Sequence, residues 1–271
     1  MKAAVITAVF AASLATAEVT WTFQKFENDI EVPFPAGPAT RFHSQAMIKL
    51  GEAGKRNRLN AAAAPVQSSN WCGAILTGSG FTSVFASWAV PPLSFRSGQS
   101  AASEPSLAQW VGIDGFTSPG LFQGGVLSQI VSGGQENVAF TGLLPQPLRD
   151  LGLAVSIGDS ITTNVTVTSS SGGIVTIKNN SRGTAVVATV TGATGSDIIQ
   201  GTSAEWIVQD VESGSSLVPF PAFPISSFTG ATAIESGIPV SPPAGTTINL
   251  VQGVELCSAT ISGTTVSVRD S

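Results

Sequence analysis

Apolar and polar positions change period little along this chain. From about residue 66 onward, short β-favouring runs alternate with clusters of Ser, Thr, Gly and Asn. The run Ile161-Thr162-Thr163-Asn164-Val165-Thr166-Val167-Thr168 is rich in β-branched residues, Ser169 to Gly173 reads as a turn, and Ile174 to Lys178 returns as the next strand. Thr184 to Thr191, Thr246 to Val251 and Thr264 to Val268 follow the same pattern, and stretches with helical period are nearly absent. Many short strands separated by turn chemistry predict an all-β domain, a two-sheet antiparallel β-sandwich or a barrel.

The first residues follow another pattern. A basic start at Met1-Lys2, an apolar run from Ala3 to Leu14 too short to span a bilayer, and the small residues Ala15-Thr16-Ala17 predict a signal peptide over residues 1–17 and a secreted, extracellular product. Residues 18–64 hold six basic and five acidic residues, a net charge of +1; the remainder, residues 65–271, holds five basic and twelve acidic, a net −7. The change falls at the basic cluster Lys55-Arg56-Asn57-Arg58. Residues 18–64 are therefore expected to be a propeptide, lying against the acidic domain at neutral pH and loosening as carboxylates protonate. Residues 65–271 are expected to form one β-domain.

Composition removes several function classes. Charged residues are 11% and hydrophobic ones 42% of 271, which excludes a disordered chain. The formal charge of −5 excludes a surface built for nucleic acid or anionic membranes. The single histidine, His43, lies in the segment read as propeptide, so a Ser-His-Asp triad, a Cys-His pair and the usual His-containing zinc sites are excluded from the domain. No phosphate-binding loop is present. No metal and no cofactor is expected, and acid–base chemistry falls to carboxylates, with amides as oxyanion donors. The two cysteines, Cys72 and Cys257, form a candidate disulfide in an oxidising compartment, with two buried thiols as the alternative. Asn164-Val165-Thr166 and Asn179-Asn180-Ser181 are N-glycosylation acceptor patterns.

Two strand-like segments carry the candidate chemistry. One is Gln109 to Gly115 followed by Gly120 to Gly125; the other is Ala204-Glu205-Trp206-Ile207-Val208-Gln209-Asp210. In the second, Glu205, Ile207 and Gln209 share one face and Ala204, Trp206 and Val208 the other. A carboxylate on a half-buried strand is a candidate for a tuned pKa; a solvent-facing Glu at a sheet edge is the plainer possibility.

Taken in order, Ser69-Asn70-Trp71-Cys72-Gly73-Ala74, Trp88-Ala89-Val90-Pro91, Trp110-Val111-Gly112-Ile113-Asp114-Gly115, Leu121-Phe122-Gln123-Gly124-Gly125 and Ala204-Glu205-Trp206-Ile207-Val208 resemble the blocks of the fungal glutamic peptidases, the eqolisin family. The resemblance implies a secreted, acid-active zymogen on a lectin-like (concanavalin A, jelly-roll) β-sandwich that cleaves protein or peptide substrates. It places the catalytic pair on Gln123 and Glu205 and family cleft positions on Trp71, Trp110 and Asp114, for which cleft lining and core packing weigh equally. The propeptide would be the enzyme's own inhibitor, and a monomer is expected. The chain departs from the family after Gln123: its acidic positions fall on Leu127 and Gly142, and the Tyr/Trp-rich stretch and extra disulfides are absent. A non-catalytic lectin-like binder is therefore one alternative, and a glycoside hydrolase using Glu205 with Asp114 another.

Overall fold

The computed structural model describes residues 19–34, 42–47 and 64–271. The strands, in chain order, begin with β1 (Thr20–Glu27), β2 (Ile30–Val32), β3 (Phe42–His43), β4 (Val66–Ser68), β5 (Trp71–Thr77), β6 (Phe81–Ala89) and β7 (Ser106–Asp114). They continue with β8 (Leu121–Val131), β9 (Gly134–Leu143), β10 (Arg149–Asp150), β11 (Ser160–Ser169), β12 (Gly172–Asn179), β13 (Thr184–Thr191) and β14 (Ser203–Gln209). The last are β15 (Glu212–Ser213), β16 (Ser216–Leu217), β17 (Ser226–Glu235), β18 (Ile238–Val240), β19 (Thr246–Gln252), β20 (Val254–Ser262) and β21 (Thr265–Asp270). Apart from three single 3-10 turns, the described residues contain no helix, hence none long and apolar enough to cross a membrane.

These strands form the expected sandwich. A back sheet runs β2–β1–β13–β12–β11–β6–β17–β18, and a front sheet runs β10–β9–β8–β7–β14–β5–β19, continuing through β20 and β21. All pairings are antiparallel except the short β4–β19 contact. Strand β17 joins the layers: Ser226–Phe228 pair with β21 and the rest with β6. The β11–β12 hairpin forms with its turn at Ser169–Gly172.

Period-two alternation sorts the front-sheet side chains. Val111, Phe122, Val126, Ala204, Trp206 and Val208 enter the core between the sheets, against Val84, Val165, Val175 and Val186. The opposite face carries a second apolar cluster of Trp71, Ile75, Trp110, Leu127, Phe140 and Ile207. Every residue of β7 and β14 is therefore buried, so β14 is a central strand covered on both faces, neither half-buried nor an edge. Cys72 and Cys257 are joined across 185 residues, linking β5 to β20, the last strand but one. Asn164 is partly buried on β11. Asn179 is fully buried, its Nδ2 donating to the Ala154 carbonyl (3.0 Å) and Asp159 Oδ2 (2.7 Å). A glycan on Asn179 would have to break both bonds, so the fold speaks against that acceptor.

The signal segment and the Lys55–Arg58 cluster lie outside the described residues. Of the basic residues behind the charge expectation, Lys25 is described, and it pairs with Glu27 of its own strand. β1 pairs along its whole length with β13, and β3 pairs with β15 in a small separate sheet with β16. Among the described residues, the ion pair between this segment and the domain is Asp29 with Lys178 (3.8 Å), acid on base rather than the reverse. Backbone pairing and apolar packing hold the segment in place.

Candidate active site

Glu205 and Gln123 come together through register. Glu205 on β14 pairs with Gly112 on β7, and Gly112 pairs with Gln123 on β8, which in turn pairs with Gly142 on β9. Directly opposed residues of a sheet point to the same side, so the two polar side chains stand on the second-cluster face, two strand spacings or roughly 9–10 Å apart by backbone. The residue between them has no side chain. A Cβ at Gly112 would lie 2.9 Å from the Trp110 ring, 3.0 Å from Leu121 and 3.2 Å from Gln123 Cβ. The missing side chain lets the Trp110 ring and Leu121 pack over the strand between the carboxyl and the amide. On the far side of Gln123, the space over Gly142 is taken by Leu148 (a Cβ would come within 2.5 Å), so an apolar group adjoins the amide.

Both side chains are fully buried, at 0% exposure. Gln123 Nε2 and both Glu205 carboxyl oxygens have no protein hydrogen-bond partner, which is costly for groups out of water. Burial holds the Glu205 carboxyl well above the usual carboxylate range. Nearby Ser203 opposes this without reaching hydrogen-bond geometry, and the negative charge of Asp114 reinforces it.

The remaining nominated residues take distinct places. Trp71 and Trp110 pack edge to face at 4.9 Å beside the pair, on the cleft face. Asp114 sits at φ +72°, a left-handed conformation that Asp tolerates. Its Oδ2 accepts the N–H groups of Gln200 (2.6 Å) and Gly201 (3.0 Å), and its Oδ1 accepts the N–H (2.8 Å) and hydroxyl (2.7 Å) of Thr202. It clamps the loop that feeds β14. A glycosidase needs a second carboxyl facing Glu205; the Asp114 carboxylate is consumed by that loop, and neutral Gln123 occupies the facing row.

Segment 42–47 covers the site. Trp71 Nε1 (3.1 Å) and Gln209 Nε2 (3.2 Å) both donate to the Gln45 carbonyl, and Asn70 Nδ2 donates to the Ala46 carbonyl (3.2 Å). The Met47 N–H donates to the Gly115 carbonyl (3.0 Å). Ser44 Oγ lies 2.6 Å from Gln209 Oε1 and 3.3 Å from Gln123 Oε1, and Gln45 Nε2 donates to Glu212. Trp110 Nε1 fixes Gln209 by donating to its Oε1 (2.8 Å). A cavity of about 450 Å³ remains beside the segment, walled by Pro119, Leu144, Pro145 and Glu212. Among the described residues no group of three or more His, Cys, Asp or Glu could hold a metal ion.

Sequence reasoning placed Gln209 on the Glu205 face but did not nominate it, and it missed Gly112 and Ser44. Alternation gives the faces of β7 and β14; only the register across three strands gives their alignment.

A model of the peptidase A4 family matches residues 69–270, from the strand carrying Trp71 to the end of β21. The chain belongs to the peptidase A4 family. Aspergillopepsin-2 of Aspergillus niger is 34% identical over 250 residues, spanning 86% of this chain and 88% of its own length. Scytalidopepsin B of Scytalidium lignicola is 34% identical over 221 residues, 78% of this chain and 80% of its own. Scytalido-glutamic peptidase with a transition-state analogue inhibitor superposes with a TM-score of 0.68 at 31% identity, covering 75% of this chain and 98% of that one. Aspergilloglutamic peptidase from Aspergillus niger gives a TM-score of 0.58 at 36% identity, covering 62% and 99%. This peptidase A4 member is a glutamic endopeptidase on the eqolisin β-sandwich.

Proposed function

We propose that this peptidase is a secreted acid endopeptidase made as a zymogen, in which Glu205 and Gln123 are the catalytic pair and residues Ser44–Met47 block the cleft. The observation that carries the proposal is the row Glu205–Gly112–Gln123: a buried carboxyl and a buried amide on one face of the sheet, with both carboxyl oxygens and the amide Nε2 free of protein partners.

The chemistry follows from the groups. Ionised Glu205 takes a proton from a water as the water oxygen bonds to the peptide carbonyl carbon. Negative charge gathers on the carbonyl oxygen, where the free Nε2–H of Gln123 donates to it. The tetrahedral adduct then collapses; the C–N bond breaks, and Glu205 returns the proton to the leaving amine. Glutamine suits the oxyanion role because its donor persists at any pH. With the cleft covered, burial keeps Glu205 protonated and unable to act as a base. Departure of Ser44–Met47 admits water, lowers the desolvation penalty and returns the carboxyl toward its ordinary value of about 4.3, where it can serve as base and then acid.

The segment's carbonyls are held as an extended substrate backbone would be, by Trp71, Gln209 and Asn70, which supports both inhibition and a substrate-facing role for Trp71 and Trp110. The boundary of the match at residue 69 and the signal-like residues 1–17 support removal of two N-terminal pieces. The test is cleavage of a denatured protein at about pH 4 by the processed protein, with pepstatin present. Wild type should cleave, Glu205→Gln should be inactive, and Gln123→Ala should lose about 10²–10³-fold in kcat. A folded, processed wild type that cleaves nothing would leave a lectin-like binding module.

A further inference from the structure

The described parts of residues 18–64 do two different things. Ser44–Met47 lies in the cleft, held by a handful of side-chain contacts. Residues 19–34 lie on the far flank of the sandwich and are built as a structural element. β1 and β2 close through the two-residue turn Asn28-Asp29, whose φ values of +50° and +64° are those of a type I′ hairpin. β1 pairs with β13 over eight consecutive residues, Thr20 opposite Thr191 to Glu27 opposite Thr184. The turn is fastened by the Asn28 N–H to the Gly183 carbonyl at 2.8 Å.

The side chains add a lid to the core. Trp21 and Phe23 stand opposite Val190 and Ala188, both fully buried, and stack on each other at 6.1 Å; Phe34 closes on Phe23 at 5.5 Å. Trp21 reaches across to the front sheet, 6.5 Å from Phe122, the neighbour of Gln123, with the Arg149 guanidinium over its ring at 6.0 Å. Without the hairpin, β13 would keep β12 on one side and become an edge strand on the other, with its outward N–H and C=O groups unpaired and the flank of an apolar core open, the kind of edge that natural sheets cover.

We infer that residues 19–34 are a permanent strand hairpin of the mature enzyme, retained on the β13 edge as a second, non-covalent chain after the cleft-blocking segment is cut away. The partner this edge takes is an extended segment with an aromatic residue at alternate positions, supplied by the same precursor. The inference rests on reading residues 18–64 as a propeptide, but it divides that propeptide into an inhibitor that leaves and a strand that stays.

The test uses the precursor from residue 18 onward, carrying Glu205→Gln so that it cannot cut itself, with residues 36–40 replaced by the recognition sequence of a site-specific protease. After cutting, gel filtration and intact-mass measurement follow the N-terminal fragment. Co-elution with the domain until denaturant is added is the expected result; a fragment that separates in native buffer overturns the inference. Phe23→Ser in the same cut protein should weaken retention at least about tenfold, as loss of a central aromatic anchor does, and unchanged retention would overturn the role of the aromatic lid. Amide exchange in Val186–Val190 should be slowed by the bound hairpin and accelerate when it is washed off under mild denaturant; equal rates would again overturn it. Because the protein tested is inactive by design, the outcome is independent of the dyad: an inactive wild type that keeps the hairpin refutes the proposed catalysis alone.

Discussion

Asp210, immediately after the Glu205 strand, should make this protein less stable as pH rises from acid to neutral. It is fully buried, its Oδ2 accepting from Gln252 Nε2 at 2.7 Å and its Oδ1 without a partner. Burial pushes its carboxyl up to about 8, with Glu212 adding to the shift and Gln252 opposing it. The folded state therefore keeps a proton that the unfolded chain releases near pH 4, so between about 4 and 8 the native state binds more protons and stability falls with rising pH. A full proton difference is worth about 1.4 kcal/mol per pH unit, so about 3 kcal/mol is lost between pH 5 and pH 7. That is a large share of the 5–15 kcal/mol typical of a domain. Asp210→Asn keeps a carbonyl for Gln252 and cannot ionise. In a Glu205→Gln background, which removes the fully buried carboxyl that burial holds well above the ordinary range, urea unfolding followed by tryptophan fluorescence should give the asparagine variant a pH dependence flatter by about 3 kcal/mol over that interval. Parallel slopes in the two proteins would refute the assignment of a buried, protonated Asp210.

Three more outcomes are expected. Gly112→Val puts methyl groups where a Cβ already meets Trp110 and Leu121, and should abolish peptide cleavage for a stability loss of only about 1–3 kcal/mol, read by kinetics and denaturation together. Asp114→Ala leaves the Gln200–Thr202 donors unpaired and should cost about 2–4 kcal/mol, measured by the same denaturation assay, with kcat falling as the β14 approach loosens. Cys72→Ser opens a bridge spanning 185 residues and should cost roughly 2–5 kcal/mol in thermal or chemical unfolding.

The β-sandwich was legible in the chain because strand alternation and turn residues are local signals; the β11–β12 hairpin and the two faces of β14 both follow from period two. The same alternation could not tell that the Glu205 face is covered. A solvent-facing face and one roofed by Ser44–Met47 demand similar strand sequences, and the roof comes from more than 150 residues earlier in the sequence. Charge contrast set residues 18–64 apart but says nothing of β1, which backbone pairing with β13 and aromatic packing hold in place. Asn179 read as a glycan acceptor because the tripeptide is local, whereas its burial is not.

What the sequence by itself determined was the chemistry available: a single histidine at position 43, few charges, a glutamate and a glutamine on strands, and two cysteines. Tertiary structure decided the arrangement of those groups. Glu205 and Gln123 are 82 positions apart in sequence, and only strand order and register set them in one row with a glycine between. Alternation is a property of a single strand and is written residue by residue, whereas register is fixed by the packing of all the strands at once.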